Sequence, residues 1–177
     1  MQERVALDVG SAAGGFVRVL LAAGAKRVYA VDAGFGQLLG SLRQHPRVVN
    51  LEATNVALLN ETLIPEPVDV VTVDVSYLSL GSAVRQLGGV RLAPGADLVG
   101  LVKPMFELRL ATAPVDEASA LRAARSAAAA VELAGWSVRA HAPSPVTGSR
   151  GAVEMLLHAV WTPAPDRRGA GLGSETP

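Results

Sequence analysis

A strand that stops at a glycine-rich turn and reopens as a helix leaves few folds open to this chain. Residues Leu7–Phe16 read LDVGSAAGGF. The apolar run Val5-Ala6-Leu7 ends in Asp8-Val9-Gly10, then come Ser11, Ala12 and Ala13, and Gly14-Gly15 opens the helical run Phe16-Val17-Arg18-Val19-Leu20-Leu21. Doubly wound α/β folds expose backbone to a nucleotide-like ligand at such a turn. Glycine suits it because a Cβ blocks close approach and because the turn can require positive φ.

The rest of the chain alternates in the same way. Strands are predicted at Arg4–Val9, Arg27–Val31, Arg47–Leu51, Val68–Asp74, Asp97–Val102, Trp136–His141 and Val153–Trp161. Helices are predicted at Gly14–Ala23, Gly36–Gln44, Leu80–Gly88 and Val115–Ala134, with Ala53–Asn60 irregular or a short helix and a turn at Pro94-Gly95. The last helix is the clearest, with Pro114 before it, Asp116-Glu117 in its first turn and Gly135 after it. The fourth strand is mostly apolar on both faces, with Thr72 an exception, as expected at the centre of a covered parallel sheet. About nine residues, Ala142–Arg150, join the last two strands. They leave no room for a crossover helix, so these strands should pair antiparallel. The expectation is an α/β, Rossmann-like sheet of seven strands with the last antiparallel, as in adenosylmethionine-dependent methyltransferases. One domain is expected over residues 1–161. The shift to Pro, Gly, Ser and charge from Thr162 onward reads as a disordered tail.

Composition narrows the chemistry. The 177 residues contain no cysteine, which excludes disulfides and cysteine-based metal or nucleophile sites and is compatible with a cytoplasmic protein. His45, His141 and His158 are far apart, so no metal is expected. No apolar run reaches the ~18–20 residues of a membrane span, and the opening Met1-Gln2-Glu3-Arg4 does not read as a signal peptide. The formal net charge is zero, although a protein that grips nucleic acid unaided usually shows a basic excess. Only two of the sixteen basic residues are lysines, Lys26 and Lys103. In so arginine-rich a chain, a lysine suggests a removable proton, which arginine cannot offer.

A dinucleotide turn should read G-x-G-x-x-G, and here Ala12 takes the middle place between Gly10 and Gly15. The spacing of Asp8, Gly10 and Gly14 instead fits a methyltransferase turn. Asp32 ends the second strand, where an acid can accept both ribose hydroxyls of an adenosyl group. Asn55, after the third strand, is either an adenine contact or an ordinary turn residue. Asp74 and Lys103 end neighbouring apolar strands at the edge where such sheets bind ligands. An ion pair alone is the alternative, though buried pairs are poor stabilisers. Glu154, in an otherwise apolar final strand, needs a partner.

The blocks LDVGSAAGGF, GAKRVYAVDAGFGQL, LRQHPRVVNLEATN, VDVVTVDVSYLSL, LVKPMFE and SPVTGSRGAVEMLL, in that order, resemble the TlyA/hemolysin-A family over about Val5 to Trp161. These are FtsJ-like ribose 2′-O-methyltransferases of ribosomal RNA. The resemblance implies S-adenosyl-L-methionine as cofactor and rRNA or a ribosomal subunit as partner. It implies cofactor contacts from Asp8, Gly10, Ser11, Gly14, Gly15, Phe16, Asp32, Asn55 and Asp74. It also maps Asp74, Lys103 and Glu154 onto three members of a Lys-Asp-Lys-Glu catalytic set.

The chain departs from the family pattern in places. The family's first lysine and a small basic RNA-binding domain lie upstream of the glycine-rich strand, and this chain begins almost on that strand. Leu108–Pro114 replaces a Gly-rich, Lys-containing segment. Ala152 and Ala13 stand where asparagine and threonine are usual. These departures leave a second reading, a module that binds adenosylmethionine without transferring methyl. A small-molecule methyltransferase would need spare length over the pocket, and a nicotinamide dehydrogenase is disfavoured by Ala12.

Overall fold

The computed structural model describes residues 2–162. The stretch read as a tail falls outside them apart from Thr162. The sheet is built around β4 (Val68–Val73), whose valines Val70, Val71 and Val73 are buried on both faces. β1 (Val5–Val9) and β5 (Leu92–Val102) pair with it on either side, both parallel. β2 (Arg27–Val31) and β3 (Val48–Leu51) extend one wing. β7 (Met155–Trp161) and β6 (Trp136–Pro143) extend the other, in the order β3-β2-β1-β4-β5-β7-β6. β7 is antiparallel to both its neighbours, so it alone runs against the sheet. The seven-stranded Rossmann-like sheet is the one expected.

The helices are α1 (Gly15–Ala22), α2 (Gly40–Arg43), α3 (Leu80–Arg85), α4 (Pro104–Glu107) and α5 (Glu117–Leu133). One face of the sheet packs Val17 and Leu20 of α1, with Leu38 and Leu42, onto Ala6, Val28, Ala30 and Val70. The other packs the alanine stripe Ala120, Ala123, Ala124 and Ala127 of α5, with α3, onto Leu7, Val71, Leu98 and Leu157. Asp116 caps α5 by accepting from the Ser119 amide, which starts the helix two residues later than the pattern suggested.

Other boundaries also differ from expectation for physical reasons. α2 is one turn, not the predicted Gly36–Gln44, because Gly36 is left-handed at φ 72° and Ala33–Leu39 is held as a loop. β5 begins at Leu92 and runs through Pro94-Gly95, which form an irregularity against β4 and not a turn that ends pairing. Lys103-Pro104 starts a short helix, with proline at its first position where the missing N–H costs nothing.

β5 is anchored near its middle. Arg4 Nη1 donates to Asp97 Oδ2 at 2.7 Å and His158 Nε2 lies 2.8 Å from Asp97 Oδ1. Burial works to raise the Asp97 carboxyl, but these partners outweigh it and hold it below its ordinary value. No helix among the described residues is long and apolar enough to cross a membrane.

One carboxyl lies wholly inside. Asp8 shares the side of Ala6 by strand alternation and is 0% exposed. Its cross-strand partner Thr72 donates to Oδ1 at 2.6 Å, while Oδ2 has no partner among the described residues. Burial pushes the Asp8 carboxyl up to about 7, and the charges of Asp74 and Asp32 add to the shift. The folded state therefore keeps a proton that the unfolded chain releases near its ordinary value of 3.8. That contribution is present below about pH 4 and is lost as the pH rises through about 7. Between about pH 5 and pH 8 the wild type should lose about 2 to 3 kcal/mol that Asp8→Asn does not lose. Denaturation midpoints of the two proteins across that range test it; parallel curves would remove Asp8 as the titrating group.

Candidate active site

The glycine-rich turn is built by three backbone interactions. Gly10 N and Ser11 N both donate to Val31 O, at 2.8 and 3.0 Å, drawing the turn over the end of β2. Gly10 has φ 85°, and a Cβ there would strike the carbonyl oxygen of Asp74. Glycine is thus needed for the approach of protein backbone. Ala12 N donates to Asp32 Oδ2 at 2.8 Å and Gly34 N to Asp32 Oδ1 at 2.7 Å. Asp32 therefore ties the turn after β1 to the turn after β2.

Beside this tie lies a cavity of about 290 Å³ lined by Gly10, Ala12, Asp32, Gly34, Gln37, Thr54, Val56, Asp74 and Tyr77, among others. Its outer wall, Ala33–Leu39, is held by Glu52. That carboxylate accepts from the amides of Gln37 and Leu38 at 2.6 and 2.9 Å and pairs with Arg43 at 3.3 Å. The Leu38 amide leads the causes that hold the Glu52 carboxyl below its ordinary value.

Two more cavities open from the same point. One, of about 530 Å³, is lined by Asp74, Ser76, Lys103, Phe106, Gly148 and Glu154, among others. The other, of about 610 Å³, is mostly apolar and runs from Ser11, Gly15 and Phe16 past Val19 and Leu101 to Val146 and Leu156. Asp74 lines all three cavities.

Asp74 stands just beyond β4, its N–H donating to Val9 O at 2.8 Å. Lys103 Nζ lies 2.5 Å from Asp74 Oδ1 as an ion pair, and that oxygen accepts no hydrogen bond among the described residues. Lys103 Nζ donates to Ser76 Oγ at 2.8 Å. Glu154 lines the cavity of Lys103 outside ion-pair distance of it. Burial raises the Glu154 carboxyl above its ordinary value, against an opposing effect of the Lys103 charge. A second carboxylate locks the two strand-end loops together: Glu107 of α4 accepts from the Leu80 amide at the start of α3. Burial raises the Glu107 carboxyl.

The predicted residues fall into two groups. Gly10, Ser11, Gly15, Phe16, Asp32, Asp74, Lys103 and Glu154 line these cavities. Asp8, Gly14 and Asn55 are not among the lining residues. Asp8 is sealed beneath the turn against Thr72. Gly14, at φ 95°, is small because Leu38 and Leu42 pack where its Cβ would stand. Asn55 Oδ1 accepts from Ala57 N at 3.0 Å and caps a 3₁₀ turn, so its neighbours Thr54 and Val56 face the cavity instead. Glu154 precedes β7 and does not lie within it, because the loop carrying it bonds to itself, Ser144 N to Glu154 O and Gly148 N to Ala152 O, both at 2.9 Å. Gln37, Thr54, Ser76 and Tyr77 were missed. Tyr77 stands three residues past Asp74, close enough to the strand end to have been a candidate, whereas nothing local marks Ser76.

A family model described as FtsJ-like methyltransferase matches residues 1–160. The 16S/23S rRNA (cytidine-2′-O)-methyltransferase TlyA of Mycobacterium tuberculosis is 42% identical over 160 residues, 87% of this chain and 59% of that protein. YqxC of Bacillus subtilis, named as an rRNA methyltransferase, is 35% identical over 170 residues, 91% of this chain and 59% of its own length. Among solved structures, a Streptococcus thermophilus protein named as a hemolysin matches with a TM-score of 0.84 at 32% identity, covering 93% of this chain and 61% of that one. A fibrillarin/Nop5p complex, at 18% identity and a TM-score of 0.65, covers 89% of this chain and 72% of that one and shares the fold. The chain spans about three-fifths of the length of the curated relatives it matches. With its glycine turn, strand-end acids and reversed last strand, it belongs to the FtsJ-like methyltransferase family.

Proposed function

We propose that this chain transfers a methyl group from S-adenosyl-L-methionine to a ribose 2′-hydroxyl of ribosomal RNA. The observation that carries the reading is the convergence of three cavities on Asp74, with Lys103 paired to it. The rRNA-methylating activities named for the relatives from Mycobacterium tuberculosis and Bacillus subtilis support the RNA substrate.

The residues present fit the cofactor. Each Asp32 oxygen accepts one backbone N–H and keeps lone-pair capacity for the two hydroxyls of a ribose. Thr54 and Val56 offer the adenine side, one polar and one apolar. Ser11 lines the adjoining cavity beside Gly10 and Asp74, and its Oγ is buried without a partner among the described residues, which leaves a hydroxyl free to bond a polar group brought to this turn. When bound, adenosylmethionine supplies an electrophilic methyl carbon on a positive sulfur.

Lys103 in its amine form takes the proton of the acceptor hydroxyl as its oxygen attacks. Asp74 and Glu154 stabilise the ammonium that results. Holding the hydroxyl in line supplies much of the rate. No metal is part of this proposal.

The test is transfer of labelled methyl from adenosylmethionine to ribosomal subunits, with cofactor affinity measured by calorimetry. Lys103→Ala should lower transfer by about 10²–10⁴-fold and leave cofactor affinity within about threefold. Comparable loss of affinity would sink that role. Asp32→Ala should do the reverse. It removes two charge-assisted contacts and should weaken cofactor binding by about 30-fold or more, with a smaller change in transfer at saturating cofactor. Cofactor binding by the wild type with no turnover would identify a binding module instead.

A further inference from the structure

Lys103 has two neighbours with different effects. Asp74 supplies charge at 2.5 Å, but no hydrogen bond joins its Oδ1 to the amine. An ammonium on a four-carbon stem is a point charge that rotates freely unless something directs it. Ser76 Oγ, at 2.8 Å, is the one aligned hydrogen-bond partner of Lys103 Nζ among the described residues. Ser76 also lines both the cavity of Asp32 and the cavity of Lys103, so it stands where the two meet. Its place is stiffened from both ends. On one side is Asp74, held by Val9 O. On the other is the start of α3, where Ser79 caps Ser82 and Glu107 accepts from Leu80.

We infer that Ser76 is a positioning residue that aims the Lys103 amine. A tetrahedral nitrogen has four directions. Cε takes one, the hydrogen bond to Ser76 takes a second, and the Asp74 charge attracts a third. The fourth, the lone pair of the amine, is left for the cavity that Glu154 and Phe106 also line. Without Ser76 the charge contact persists while rotation about the Cε–Nζ bond spreads the lone pair over several directions. Fewer acceptor hydroxyls then meet it in line, which lowers turnover and not binding. The effect on turnover rests on the proposed methyl transfer; the contact itself does not.

The chain's two lysines make the contact directly observable. With ¹³Cε-labelled lysine, the protein should give two resolvable signals, Lys103 and Lys26, and Lys26 lies with Glu66. In the cofactor-free protein, Ser76→Ala should move the Lys103 signal and leave that of Lys26 in place. In the methylation assay it should lower kcat about tenfold, the size expected for one hydrogen bond, with KM for RNA and cofactor within about twofold. Ser76→Thr, which keeps the hydroxyl, should recover kcat to within about threefold. An unmoved Lys103 signal overturns the inference. So does an unchanged kcat in Ser76→Ala, or a loss that falls on KM or that threonine does not repair. If the wild type transfers no methyl to RNA, it is the proposed function that fails, and the lysine signals still decide whether Ser76 holds Lys103.

Discussion

The contact between the Gly10 backbone and the Asp74 carbonyl governs this end of the molecule. β1 and β4 are neighbours in the sheet though far apart in sequence, and their chains leave in opposite directions. A crevice opens where they part. How narrow it is depends on whether residue 10 carries a side chain. With glycine there, the turn settles against β4, Asp74 stands at its mouth, and Ala12 reaches Asp32. A β-carbon would push the turn outward and separate the two acids that organise the cavities.

The reversed strand solves a different problem. Parallel strands deliver their last residues to the binding edge, so β4 and β5 place Asp74 and Lys103 there. β7 runs the other way and delivers what comes just before its start. Glu154 is that residue, and it reaches the same edge without a crossover helix. Gly148 keeps the space beside its carboxylate open, since a Cβ there would collide with Oε1.

Much of this was legible in the sequence. The alternation of apolar runs with turn residues gave the strand count, and the short connection before β7 gave its direction. Asp32, Asp74 and Lys103 could be read because a charged residue ending an apolar strand is conspicuous. The side chains of Asp8 and Asn55 were not legible, for a common reason. A motif places a residue along the chain, but Thr72 across the sheet decides that Asp8 is sealed in, and the Ala57 amide decides that Asn55 folds back on its own turn. Ser76 carries no local signature; its significance comes from a lysine 27 residues away. The true start of β5 was hidden because Pro94-Gly95 ordinarily ends a strand, whereas here the pairing with β4 resumes past an irregularity.

The anchoring of Asp97 has a mechanical meaning. Side chains on a strand alternate between faces, so a slip of β5 by one residue would exchange the surroundings of Val102 and Lys103. Valine would then stand at the binding edge, with a charged amine driven toward the apolar layer beneath α5. The hydrophobic pattern alone resists this weakly near the irregularity at Val68 and Val70, where register is already disturbed. Asp97 lies just past that point and is gripped by β7 through His158 and by the start of β1 through Arg4. It acts as an indexing pin, setting the phase of the strand six residues before the lysine that depends on it.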